Sequence, residues 1–116
     1  MAVYLISAAL FLVAASSNIS TAQPTVTEEE RAAWPRSVDE AANRILVGMP
    51  DADKRKVRVT KRSDLILYHH GWGTGIRNQF GLWKGNKDLM ADCKAGHPDD
   101  CSMIIIEKVW ERLQKQ

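Results

Sequence analysis

Nothing in this sequence reaches the about 20 consecutive apolar residues that an ordinary membrane-spanning helix requires. The N-terminal run Val3–Ala15, VYLISAALFLVAA, is apolar but for Ser7 and stops well short of that length. Charge of neither sign dominates: 16 Lys and Arg stand against 14 Asp and Glu, a formal net charge of +2. Nucleic acid as the main partner is therefore disfavoured, because phosphate binding needs a clustered excess of cations. There is no HExxH and no paired CxxC, and Gly71-Trp72-Gly73-Thr74-Gly75 is not GxGxxG and lies in no βαβ pattern. Cysteine is scarce, with only Cys93 and Cys101. Neither a cofactor nor a metal is implied.

What is present at the N-terminus is a secretory pattern. A short apolar run followed by small residues, ending in Ser20-Thr21-Ala22, reads as a signal peptide over residues 1–22 with cleavage after Ala22. The run is preceded by no Lys or Arg, so the alternative is an uncleaved N-terminal anchor. No cysteine lies at the cleavage region, which argues against a lipoprotein. The expected location is outside the cytoplasm, periplasmic or secreted, with no transmembrane span once the signal is removed. Residues 23–33, with one Pro and an acidic triplet, read as a flexible leader carrying at most a helical turn. Residues 34–116 are enough for one small domain with a single core.

The pattern of that domain is all-α, a small compact bundle of four or five short helices. Ser37 followed by Glu40 is a capping-box pattern, and Val38, Ala41, Ala42, Ile45 and Leu46 recur at helical spacing until Gly48 and Pro50. Asp51–Val57 reads as a second short helix, with a brief strand around Val57 and Val59 as the alternative. Leu65, His69, Trp72, Ile76 and Phe80 fall on one face of an expected central helix that starts at Ser63 or Asp64. Asn86 is placed to cap a helix over 87–93. Pro98, Asp99 and Asp100 suit the first turn of a last helix whose apolar face is Met103, Ile106, Val109, Trp110 and Leu113.

The stretch from His69 to Ser102 holds all three histidines, both cysteines and all but one of the glycines. Each glycine weakens a helix by about 1 kcal/mol relative to alanine, so this run serves close packing or a site. In an oxidising compartment Cys93 and Cys101 are candidates for a disulfide pinning the turn Lys94–Pro98 between two helices. Gly71 and Gly75, one turn apart, are expected to let another helix approach.

The motifs Trp34-Pro35, His70-Gly71, Ile76-Arg77-Asn78, Phe80-Gly81-Leu82-Trp83, Gly85-Asn86 and His97-Pro98-Asp99-Asp100 with Ser102, followed by Trp110 and Leu113, form a specific combination. It resembles an uncharacterised family of small bacterial domains, a domain of unknown function, over roughly residues 34–114. The resemblance implies a bacterial source and one self-contained domain, and it brings no activity, cofactor or site residue with it. Cys101 departs from the pattern, which bears on the disulfide.

Three readings of the chemistry compete. His70, Thr74 and Arg77, with Asn78 adjacent and Trp83 in the following turn, place an imidazole, a hydroxyl, a guanidinium and an indole along one strip, the composition of a binding hot spot. This favours an exported module that binds a protein or an envelope component. The alternative is a small envelope hydrolase or metal-assisted enzyme using His70, His97 and Asp99 or Asp100, with Ser102 or Cys101 drawn as a nucleophile beside His97. The third reading is structural: Arg77 pairs with Asp99, Asp100 or a helix C-terminus, Asn78 ties down the 81–86 turn, and His69 is a packed, hydrogen-bonded core group. The basic run Lys54–Arg62 reads as a solvated surface turn, or as a contact for anionic lipid, cell-wall polymer or an acidic partner.

Overall fold

The computed structural model describes residues 25–116, so the expected signal segment lies outside the described residues. Seven helical segments occur among them and no strand: α1 (Glu28–Ala33), α2 (Val38–Gly48), α3 (Asp51–Val59), a 3₁₀ helix (Arg62–Tyr68), α4 (Trp72–Gln79), α5 (Lys87–Cys93) and α6 (Pro98–Gln114). The all-α reading holds. The leader contributes the short α1, capped by Thr27 and fully exposed.

Local chemistry sets most of the boundaries. Ser37 Oγ accepts from Glu40 N–H at 3.1 Å, and the Glu40 carboxylate reaches back to Arg36 N–H at 2.9 Å. The capping box thus closes one residue earlier than its usual form, which returns to the cap residue itself. Asp92 Oδ2, brought from α5, accepts from Val38 N–H at 2.7 Å and satisfies another of the donors that a helix start leaves open. Asn86 caps α5 through Leu89 N–H, and Pro98 opens α6 behind His97.

The expected central helix is two elements. The chain runs as a 3₁₀ helix to Tyr68, turns through His69–Gly71 and resumes as α4 at Trp72. A continuous helix would carry three glycines in five residues, each costing about 1 kcal/mol. The three-residue period of the 3₁₀ helix instead groups Arg62, Leu65 and Tyr68 on one edge. Leu65 is buried there, and Arg62 reaches Glu107 and Glu111 of α6.

Every element from α2 to α5 packs against α6. Along α6, Cys101, Ile105, Ile106, Val109 and Leu113 are fully buried. Burial of each large aliphatic side chain stabilises by about 1.5–3 kcal/mol. Its N-terminal half meets Leu65, Ile76, Phe80, Leu82 and Leu89, while its C-terminal half meets Ala42 and Val57. The apolar core among the described residues therefore closes between Val38 and Leu113.

Two glycines matter for packing, and neither is Gly71 or Gly75, around which a Cβ would meet nothing within 4 Å. At Gly73 a Cβ would stand 2.9 Å from an Arg77 guanidinium nitrogen and 3.6 Å from Ser102 Oγ. At Gly81, where φ is +69°, it would lie 2.2 Å from the Trp34 ring. Trp34 is thus seated on a glycine in the left-handed region that only glycine adopts freely.

Candidate functional site

Cys93 and Cys101 are bonded, with sulfurs 2.01 Å and Cα atoms 5.3 Å apart. The bridge joins the end of α5 to the first turn of α6 and encloses the turn that carries His97. Lys94, at φ 56°, ends α5 in the left-handed conformation. His97 then caps α6: its Nδ1 accepts from Asp99 N–H at 3.1 Å.

Asp99 is the centre of a charged cluster. Arg77 Nε lies 3.3 Å from Oδ1, while His69 Nε2 and His97 Nδ1 lie 3.9 and 3.7 Å from Oδ2. A nitrogen that accepts the capping hydrogen bond cannot also donate to the carboxylate, so the cap and not the ion pair holds His97. The Nδ1 of His69 is buried without a hydrogen-bond partner among the described residues. The His70 ring stands edge-on to His69 with centroids 4.9 Å apart, and Trp83 stands edge-on to His97 at 5.2 Å. His70, His69, Asp99, His97 and Trp83 form one continuous row across the His69–Gly71 turn, the start of α6 and the turn after α4.

Arg77 lies beneath the row. It is only 6% exposed, and its guanidinium donates to Ser102 Oγ at 2.9 Å, Thr74 Oγ1 at 2.9 Å and the His69 carbonyl at 3.2 Å. Ser102 Oγ in turn donates to the Asp99 carbonyl at 2.8 Å. The fork ties α4 to α6 and to the turn that splits the expected helix. This is the pairing with Asp99 that the structural reading anticipated, extended by three further acceptors.

The predicted strip is therefore divided. His70 and Trp83 are exposed, Thr74 is occupied by Arg77 and the His70 carbonyl, and Arg77 is buried. Asn78 is exposed and does not hold the 81–86 turn. Asn86 does so: it is 5% exposed and donates to the carbonyls of Pro35 at 3.0 Å and Phe80 at 2.8 Å. Asn78 instead lines a groove of about 420 Å³ with Glu30, Trp34, Arg44, Gln79 and Lys84. Among the described residues, no group of three or more His, Cys, Asp or Glu side chains is placed to hold a metal ion. The nucleophiles considered beside His97 are also committed, Cys101 to its disulfide and Ser102 to a fully buried hydrogen-bonded position. Sequence reasoning read His69 as a packed, hydrogen-bonded core group, whereas its ring is part-exposed and its Nδ1 has no hydrogen bond among the described residues, and it passed over Asp92. The first sat on an apolar face, and the second acts across 54 positions of chain.

A family model described as Domain of unknown function (DUF6794) matches residues 34–113. The chain belongs to the DUF6794 family. No curated protein and no solved structure gives a significant match. The DUF6794 region begins at Trp34, which seats on Gly81, and ends at Leu113, the last buried residue of α6. It contains the whole Asp99 row and both cysteines, whereas α1 precedes it. The DUF6794 domain thus coincides with the packed core.

Proposed function

We propose that this DUF6794 protein is an exported protein-binding module that engages its partner through the row His70–His69–Asp99–His97–Trp83. One observation carries the reading: Trp83 is 56% exposed although its ring is braced edge-on by His97, which is itself fixed as a helix cap. A large aromatic held in place by the fold costs little ordering entropy when a partner covers it, and tryptophan is enriched among binding hot spots. Imidazoles and the half-exposed Asp99 carboxylate beside it supply polar contacts at the rim. Export is supported by the secretory pattern of residues 1–22 and by the Cys93–Cys101 bridge, which an oxidising compartment sustains.

The test is a crosslinking pull-down from the native envelope with residues 23–116, comparing wild type with Trp83→Ala. Arg77→Ala would not test this reading, because it removes the buried fork that ties α4 to α6. Truncation of a hot-spot tryptophan costs about 2 kcal/mol or more of binding, roughly thirty-fold in affinity. A partner held by wild type and lost by a folded Trp83→Ala protein supports the reading. Capture indifferent to Trp83 overturns it.

A further inference from the structure

The run Lys54–Arg62 contains six cations, and the structure divides them. Arg58 donates through Nε to the Leu113 carbonyl at 3.1 Å, and Arg62 is held by Glu107 and Glu111 over the Trp110 ring. Lys54, Arg55, Lys56 and Lys61 have no carboxylate within 4.0 Å among the described residues. The acids of α3, Asp51 and Asp53, stand one turn before Arg55 and Lys56, outside ion-pair distance of both. Asp64 is the one carboxylate of the 3₁₀ helix.

The same region exposes aliphatic side chains. Val59 is 80% exposed, Leu67 77% and Ile66 59%. Val59 follows Arg55 by four residues and Lys56 by three, so the three share one helical face. The 3₁₀ helix turns Arg62 and Leu65 toward α6, which leaves Ile66 and Leu67 on its other edges. Thr60 Oγ1 and Tyr68 Oη are hydrogen-bonded at 2.9 Å, and Trp110 Nε1 donates to the Thr60 carbonyl at 2.8 Å. The Thr60–Tyr68 hydrogen bond joins the end of α3 to the end of the 3₁₀ helix, one residue along the chain from Val59 and from Leu67.

We infer that the outward side of α3 and the 3₁₀ helix docks on an anionic phospholipid surface, with Arg55, Lys56 and Lys61 meeting headgroup phosphates and Val59, Ile66 and Leu67 entering the boundary with the acyl chains. Exposed cations held in no ion pair select an anionic partner and repel a second copy of the same face. The interleaved aliphatics select a surface that offers hydrocarbon beneath its charge, which a soluble polyanion lacks. The inference is independent of the Trp83 row, so either can fail without the other.

Residues 23–116 lack the apolar run Val3–Ala15 and retain the whole core, so they are the form to test by co-sedimentation with vesicles. Binding is expected to phosphatidylglycerol mixed with phosphatidylcholine, not to phosphatidylcholine alone, and it weakens as salt rises. Each cation near such a surface is worth about five-fold in partitioning, so Arg55→Gln/Lys56→Gln/Lys61→Gln lowers it about a hundredfold. Val59→Ser/Leu67→Ser is expected to lower it about tenfold or more with circular dichroism unchanged. Failure to sediment with phosphatidylglycerol vesicles overturns the inference. So does sedimentation unaffected by the serine pair, or binding of polyphosphate as tight as binding of vesicles, since either assigns the face to polyanions instead.

Discussion

Arg77 and the group Arg55, Lys56 and Lys61 treat positive charge in opposite ways. Arg77 is almost fully buried and faces Ser102, Thr74, the His69 carbonyl and Asp99. The three cations around α3 are exposed and have no carboxylate within 4.0 Å among the described residues. A buried guanidinium must be satisfied by the protein itself, and once satisfied it has nothing left to offer a ligand. An exposed cation keeps its hydration and its field, which are what a charged partner responds to. The contrast shows that a charge becomes structural through its surroundings, whatever its residue type suggests.

The contrast is broken most directly by truncating both regions and measuring stability in urea. Arg77→Ala is expected to cost about 3 kcal/mol, because Ser102 and the His69 carbonyl lose a buried partner and a cavity opens. Arg77→Lys retains the charge but not the fork, and is expected to cost about 2 kcal/mol. Arg55→Gln/Lys56→Gln/Lys61→Gln should stay within about 0.5 kcal/mol of wild type. A stable Arg77→Ala protein would remove the distinction.

Two glycines sharpen the same point at a smaller scale. Gly81→Ala places a methyl against the Trp34 ring at a positive φ and is expected to cost about 2 kcal/mol or more. Gly75→Ala, with open space around it inside α4, should stabilise by about 0.5–1 kcal/mol. The smallest effect is expected at Glu40. The Arg36 N–H donated to its carboxylate, reinforced by Arg44, holds its pKa below the ordinary glutamate value in the folded chain. The unfolded chain therefore binds the proton more readily, and the contribution is fully present above the ordinary value of about 4.3. It is lost as the pH falls through the lowered folded value. Glu40→Gln should flatten the acid limb of stability against pH and leave the neutral range almost unchanged.

Much of the fold was legible because its signals are local. Ser37, Asn86 and Pro98 mark helix starts within one turn of sequence, and the spacing of Cys93 and Cys101 suits a turn between helices. The break at His69–Gly71 was not, because apolar steps of three and four fit a long helix and a 3₁₀ helix followed by a short one equally well. The site was half legible. His70 and Trp83 remain on the surface as expected, but the burial of Arg77 depends on Ser102, 25 positions away on another helix. Asn86 caps α5 as expected but also takes the turn-holding role expected of Asn78, for the same reason: only packing brings the Pro35 carbonyl to Asn86.

The Cys93–Cys101 bridge has a consequence for how the chain comes apart. It converts the segment between the two cysteines into a covalent ring that includes Lys94 and His97. Cleavage of any single peptide bond inside that ring, at Lys94 by a trypsin-like protease for instance, opens the ring without releasing a fragment. The two pieces migrate together on a non-reducing gel and separate only after a thiol is added.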